Sequence, residues 1–421
     1  MAAVDFVIRG ATVVDGSGAP PFVGDVAVAN GVIASVGPSL PVRGKEEFDA
    51  SGLIVAPGWI DPHTHFDAQV TWDPYLTPST SSGVTTCIMG NCGIGFAPCQ
   101  PERRGFLAHL IEAVEDLPGP VLTDGMVWDW ETFEEYMDSV SKRPLACDVA
   151  VMVGHAAVRT WVMGKRASAA DRPGALKDPV RPHEVDAMAA LVQDAVAAGA
   201  LGFSTSRLLL HRDKGGHLIP GTLATKMELL ALARAIATGG GGIIQWAPDW
   251  VAYDDLPYAQ LEHKNVQAHQ AQELDWMTEI AREHGSKVKL TWTVGWGNDA
   301  RTASMTKDLN LMYLHKIREA GGFARGQVFV RPQGFLWGLE ARNHPFIVSA
   351  TFRKLKEETG EDRAELVRCL QQADVRAKIL DEFQEMKKLP QLKEFYDHVH
   401  PWNRVYRWTP GYEPGPELSI Q

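Results

Sequence analysis

Apolar residues in the first fifty positions fall into short runs: Phe6-Val-Ile-Arg-Gly, Ala11-Thr-Val-Val-Asp-Gly, Asp25-Val-Ala-Val and Gly31-Val-Ile-Ala-Ser-Val-Gly, punctuated by Gly, Asn and Pro. Such runs predict short β-strands joined by tight turns, a small β-sandwich or half of one. The pattern then changes. Apolar strands are expected at Leu53–Ile60, Thr85–Met89, Asp148–Val153, Ala200–Ser204, Gly242–Trp246, Val288–Val294 and Gln327–Arg331. Amphipathic helices are expected between them, at His183–Ala198, Lys226–Ala237, Ala271–Glu283 and Leu309–Ala320; in the third, Leu274, Met277, Ile280 and Ala281 recur at helical spacing. Strands apolar on both faces, separated by helices, predict a parallel sheet with crossover helices.

Seven strands are one short of a closed (β/α)8 barrel. The C-terminal part reads as helical, with a charged run over Asp362–Lys388, and ends in Pro401-Trp-Asn and Thr409-Pro-Gly-Tyr-Glu-Pro-Gly-Pro. No eighth strand is expected before Gln421, so the chain reads as stopping short of closure. Open strand edges invite self-association, and a homo-oligomer is the corresponding expectation.

A length of 421 residues suits one large α/β barrel with a small companion. With 45% apolar and 22% charged residues, the chain is neither disordered nor a disulfide-stapled miniprotein. No apolar run is long enough to span a membrane, and the first ten residues lack the basic flank and apolar core of a secretory signal. A cytoplasmic protein is expected. The net charge of −11 argues against nucleic acid or an anionic membrane as a partner. An odd count of five cysteines argues against a disulfide framework, so a special cysteine here is a ligand or a nucleophile.

Two short motifs carry chemistry. In Ile60-Asp61-Pro62-His63-Thr64-His65-Phe66-Asp67, residues two apart on an extended segment face the same side, which places His63 and His65 together at the end of the first barrel strand. Two imidazoles there make half of a transition-metal site; the alternative is a hydrogen-bonded structural pair. In Met89-Gly90-Asn91-Cys92-Gly93 the glycines allow a sharp turn that projects Cys92 from the next strand end, as a thiolate ligand or as a small buried apolar residue.

Together with Asp15-Gly-Ser-Gly-Ala-Pro, Val55-Ala-Pro-Gly-Trp-Ile-Asp-Pro-His-Thr-His-Phe-Asp-Ala-Gln, Gly83-Val-Thr-Thr and Gly90-Asn-Cys-Gly-Ile-Gly-Phe-Ala-Pro, these motifs resemble the amidohydrolase superfamily in its D-aminoacylase, or N-acyl-D-amino-acid deacylase, branch. Gly154-His155-Ala-Ala-Val-Arg159, Gly199-Ala-Leu-Gly-Phe-Ser-Thr-Ser-Arg207 and Asn343-His344-Pro345-Phe346 extend the resemblance along nearly the whole chain. It implies a (β/α)8 TIM-type barrel, lacking strand eight in this chain, with a small N-terminal β-sandwich part. The corresponding boundaries are 1–54 for the sandwich portion and 55–421 for the barrel. It also implies zinc-assisted hydrolysis of a linear amide in an N-acyl amino acid, with His63, His65 and Cys92 at the metal.

The sequence departs from that branch in three places. At the end of strand five, where the resemblance implies a histidine, stand Gln245 and Trp246; strand six, Val288-Lys-Leu-Thr-Trp-Thr-Val, has no histidine. Trp cannot ligate, and Gln is a weak zinc ligand. The general-base aspartate implied after strand eight has no counterpart, which leaves open a non-catalytic or truncated remnant as the second reading. A cyclic-amide hydrolase would need a strand-four lysine, where this chain has Ser204, Thr205 and Ser206. Substrate contacts are expected from His155 and Arg159 after strand three and from Arg207 after strand four, because a guanidinium suits a carboxylate. His211 and His217 read as solvated loop residues, with reach to a metal as the alternative, and the thirteen tryptophans as core packing and pocket wall.

Overall fold

The computed structural model describes residues 4–115, 117, 119–169, 180–208, 211–213, 217–248, 266–294, 300–328, 338–339, 344–346, 349–360, 362–388, 396, 405–407, 417 and 419. Two compact units emerge: Met1–Asp61 with Thr77–Cys87, and Pro62–Leu76 with Ile88–Gln421.

The N-terminal strands are β1 (Val4–Val13), β2 (Phe22–Ala29), β3 (Val32–Gly37), β4 (Gly44–Asp49) and β5 (Ile54–Val55). They form one sheet ordered β3-β2-β1-β4, with β5 also paired to β1, so this part is half of a sandwich. Gly10, which the apolar pattern reads as a stop, lies inside β1. It sits at φ +66°, and the register against β2 slips between Ile8 and Ala11. A bulge has absorbed the break and merged two expected strands. The turn between β2 and β3 is Asn30-Gly31, both at positive φ, the two-residue hairpin that matches strand twist. The charged segment Gly44-Lys-Glu-Glu-Phe-Asp becomes β4, a strand that no apolar alternation announces. Arg9 holds it, bonding Glu47 Oε1 at 2.8 Å and Asp25 Oδ2 at 2.9 Å and so tying β1, β2 and β4 together.

The expected strand Leu53–Ile60 is divided. Its first half joins β1 as β5, and its second half, β6 (Trp59–Asp61), pairs in parallel with β7 (Val84–Met89). Pro57-Gly58 makes the break. A proline lacks the N–H for a ladder, and a β-carbon on Gly58 would fall 2.0 Å from Thr85 Oγ1.

The remaining strands are β8 (Asp148–Gly154), β9 (Gly202–Ser206), β10 (Gly242–Ala247), β11 (Val288–Val294) and β12 (Ala324–Val328). Among the described residues the parallel sheet has seven strands, in unbroken chain order from β6 to β12, the winding of a TIM-type barrel. The expected Gln327–Arg331 strand begins earlier than its apolar run, and its last three residues lie outside the described ones. The crossover helices are Pro182–Ala197, Lys226–Gly239, Val266–His284 and Ala300–Glu319. The charged Asp362–Lys388 run is broken at Gln371 and Gln372 into the helices Arg363–Leu370 and Ala373–Glu385. No described helix is long and apolar enough to cross a membrane.

Tryptophans pack the middle of the sheet. Trp246 and Trp292 are register partners on β10 and β11, both fully buried, with rings stacked at 4.6 Å and 28°. Trp276 meets Trp246 edge to face at 5.4 Å, and Trp292 Nε1 donates to Asn310 Oδ1. Replacing Trp292 by Ala removes the stack and leaves a cavity between two strands. The expected loss is about 3–5 kcal/mol of unfolding free energy, read from denaturant titration.

Candidate metal centre

His63, Thr64 and His65 follow β6 in sequence and are fastened beside β7. The Thr64 N–H and hydroxyl both donate to Ile88 O, at 3.0 and 2.8 Å. The Asn91 amide then donates to Ile88 O at 2.9 Å and to Thr64 O at 3.2 Å. Asn91 is fully buried, so these bonds are not shared with solvent. The two imidazoles lie edge to face with centroids 5.4 Å apart.

Cys92 is placed by the turn after β7. Its φ is +57°, between Gly90 at +76° and Gly93 at +74°. A non-glycine residue in that region costs about 1–3 kcal/mol and persists where its surroundings hold it. Here the Cys92 N–H donates to Gln245 Oε1 at 2.7 Å, and the Gly93 N–H to Ser204 Oγ at 2.9 Å. Gly90 and Gly93 leave no room for a side chain. A β-carbon would fall 2.0 Å from Met152 O at Gly90 and 2.9 Å from Ser206 N at Gly93. The result is that Cys92 Sγ sits 3.1 Å from His63 Nε2, and one ligand atom from each of His63, His65 and Cys92 lies within 4.8 Å of the others.

Burial governs the electrostatics. It pushes the His65 imidazolium down to about 4, so His65 is neutral at neutral pH. Burial also raises the Cys92 thiol, assisted by the negative charges of Glu115 and Asp67. Asp67 is pushed up to about 7 by burial, against a hydrogen bond from the Gly90 N–H. Sequence reasoning assigned no role to Asp67 or Glu115. Asp67 lies two residues past His65, so the alternation that pairs the histidines marks it too. Glu115, at the end of the helix Arg104–Glu115, approaches His65 Nε2 at 3.3 Å, and no local motif marks it.

A family model described as the amidohydrolase family matches residues 46–382. The chain belongs to that family. It is 35% identical over 237 residues to a D-aminoacylase of Alcaligenes xylosoxydans xylosoxydans, covering 56% of this chain and 43% of that one. It is 38% identical over 207 residues to an N-acyl-D-aspartate deacylase of the same organism, covering 48% and 37%. Among solved structures it is similar to the N-acyl-D-glutamate deacylase of Bordetella bronchiseptica, complexed with zinc and a phosphonate inhibitor. That likeness has a TM-score of 0.57 and 25% identity, over 79% of this chain and 59% of that one. The chain thus spans less than half the length of these two curated relatives.

The structure gives the three expected substrate contacts partners inside the protein. His155, fully buried at the start of the helix His155–Met163, has Nδ1 2.9 Å from Thr205 Oγ1 and Nε2 2.8 Å from Glu228 Oε1. The Arg159 fork is taken by the same carboxylate, at 2.8 Å to Oε1 and 2.7 Å to Oε2. His155 and Arg159 thus share Glu228, which Thr225 caps into the first turn of the helix Lys226–Gly239. Arg207 is likewise engaged, donating to Glu273 Oε1 at 2.9 Å and to the carbonyls of Thr222 and Ala224. Of the two loop histidines, His211 bonds Ser206 Oγ at 2.9 Å, while His217 faces Asp213 at 3.1 Å and is partly exposed. At strand five, Gln245 reaches the Cys92 turn and Trp246 is stacked in the core.

Burial alone would raise the Glu228 carboxyl, but Arg159 and then His155 outweigh it and hold it well below the carboxylate range. A depressed folded-state pKa contributes stability at neutral pH that is lost as pH falls below about 4, where the unfolded carboxyl protonates first. Glu228→Gln is expected to cost about 3–5 kcal/mol at neutral pH, since it leaves a buried guanidinium unpaired. The penalty should shrink in denaturant titrations run toward pH 3.

Proposed function

We propose that this chain is a zinc-dependent hydrolase of linear amide bonds, acting on an N-acyl-D-amino acid. The observation that carries this reading is the convergence of His63, His65 and Cys92 donor atoms within 4.8 Å at the ends of the first two barrel strands. Active sites of TIM-type barrels gather at that face. Two imidazoles and a thiol form a nitrogen–sulfur donor set that suits zinc. The buried Nδ1 of His65 has no hydrogen-bond partner, and a cation would satisfy it. The likeness to N-acyl-D-amino-acid deacylases, one of them described with zinc, supports both the metal and the substrate class.

Bound zinc supplies Lewis-acid chemistry, polarising an acyl carbonyl and acidifying water. The chain's own residues do the positioning. Neutral His65 keeps a lone pair available at neutral pH. Cys92 holds its proton in the metal-free protein and gives up the Sγ proton on ligation, so metal uptake should release acid. The Gly90–Gly93 turn holds Sγ against the pull of side-chain entropy, which keeps the three donors converged before a ligand arrives. Localisation in the cytoplasm fits five cysteines that form no disulfide.

The test is elemental zinc on the folded chain, with hydrolysis of N-acetyl-D-amino acids assayed before and after chelation. One zinc per chain and chelator-sensitive hydrolysis are expected. Cys92→Ala should weaken zinc binding at least about a hundredfold, beyond the 10–100-fold typical of outer-shell partners. Unchanged zinc content and activity in Cys92→Ala would sink the assignment.

A further inference from the structure

A helix outside the donor set holds both of the loops that carry it. The helix Phe133–Ser141 starts at a capping box, in which Thr132 and Glu135 each accept the other's backbone N–H. Its Tyr136 hydroxyl donates to Asp67 O at 2.8 Å, just past His65 in the chain. Ahead of the helix, Trp130 Nε1 donates to Phe96 O at 2.8 Å, on the loop that follows Cys92. Both rings are fully buried and meet edge to face, with centroids 4.9 Å apart. Each side has a second fastening: Arg143 donates to Thr71 O at 2.6 Å, and the Cys99 N–H to Glu131 O at 2.7 Å. All four acceptors are main-chain carbonyls, so these bonds fix loop backbone. Asp67 completes the link. Its carbonyl accepts from Tyr136 while its carboxylate accepts the Gly90 N–H, which joins this helix to the turn that carries Cys92. His65 therefore lies between two anchored neighbours, Thr64 on Ile88 O and Asp67.

We propose that Trp130 and Tyr136 form an aromatic clamp that sets the spacing between the His65 segment and the Cys92 turn, and with it the spacing of the metal donors. This rests on the reading of His63, His65 and Cys92 as a metal site. Both are positioning residues, acting through Asp67 O and Phe96 O. The departures at strands five and six make such support matter. Gln245, Trp246 and the segment Val288–Val294 supply no histidine, so the three donors all come from two neighbouring loops. Their convergence then depends on how those loops are held against each other, and small misplacements at such a centre are costly.

The test is zinc affinity of the full chain by chelator competition, with the visible spectrum of the cobalt(II)-substituted chain as a readout of donor geometry. Tyr136→Phe keeps the ring and removes only the hydroxyl; Trp130→Phe keeps an aromatic ring and removes the indole N–H. Each should weaken zinc binding about tenfold, the lower end of what outer-shell partners contribute, and each should shift the cobalt bands. Tyr313→Phe is the control, a buried tyrosine packed against Trp292. It should leave both readouts at the parent values, even where it lowers the denaturation midpoint. Parent zinc affinity or a parent cobalt spectrum in Tyr136→Phe overturns the clamp, and so does an equal loss of zinc in Tyr313→Phe. If Cys92→Ala loses zinc while Tyr136→Phe and Trp130→Phe bind it as the parent does, the clamp falls and the metal site stands. A parent chain that takes up no zinc overturns both.

Discussion

Two backbone hydrogen bonds hold this site together: Cys92 N–H to Gln245 and Gly93 N–H to Ser204. They fasten a left-handed turn to strands that arrive 153 and 111 residues later in the chain. Without them Cys92 would relax out of positive φ, and its thiol would sink into packing as most free cysteines do. With them, a strained residue becomes a directed one. The closeness of Met152 to Gly90 and of Thr205 and Ser206 to Gly93 shows the same turn pressed onto β8 and β9 from the other side. The strands thus serve two purposes at once, as core and as the mould of the donor set.

Much of this was legible in the residues, for identifiable reasons. The strands β8 and β10 are nearly continuous apolar runs, as strands covered on both faces are, and such runs are hard to miss. His63 and His65 share a side because extended backbone alternates, and the glycines around Cys92 announce a sharp turn. What escaped notice lacked a local signature. β4 is held by the charge pairing of Arg9 with Glu47 rather than by apolar alternation. The bulge at Gly10 looks in sequence like the end of a strand. Glu115 and Gln327 reach the histidines through the fold alone, and nothing next to them in the chain points at a metal.

The arginines show a different limit. A guanidinium after a barrel strand does seek a carboxylate, so the chemistry behind the expectation for Arg159 was sound. The partner that the structure shows is Glu228, 69 residues on. Arg207 meets Glu273 across 66 residues in the same way. Arg159, in the helix after β8, is thus tied to the first turn of the helix Lys226–Gly239, and Arg207, after β9, to the middle of the helix Val266–His284.

Gln327 carries a consequence that concerns time rather than space. Its bond to His63 joins residues 264 positions apart, the last strand of the sheet to the segment after the first. During synthesis the three donors leave the ribosome early, within the first hundred residues, while the amide that orients His63 emerges after nearly all the rest of the sheet. A nascent chain therefore holds His63 without its Gln327 partner until β12 docks, although the Cys92 turn is fastened earlier by β9 and β10. The orientation of one imidazole then reports that β12 has arrived.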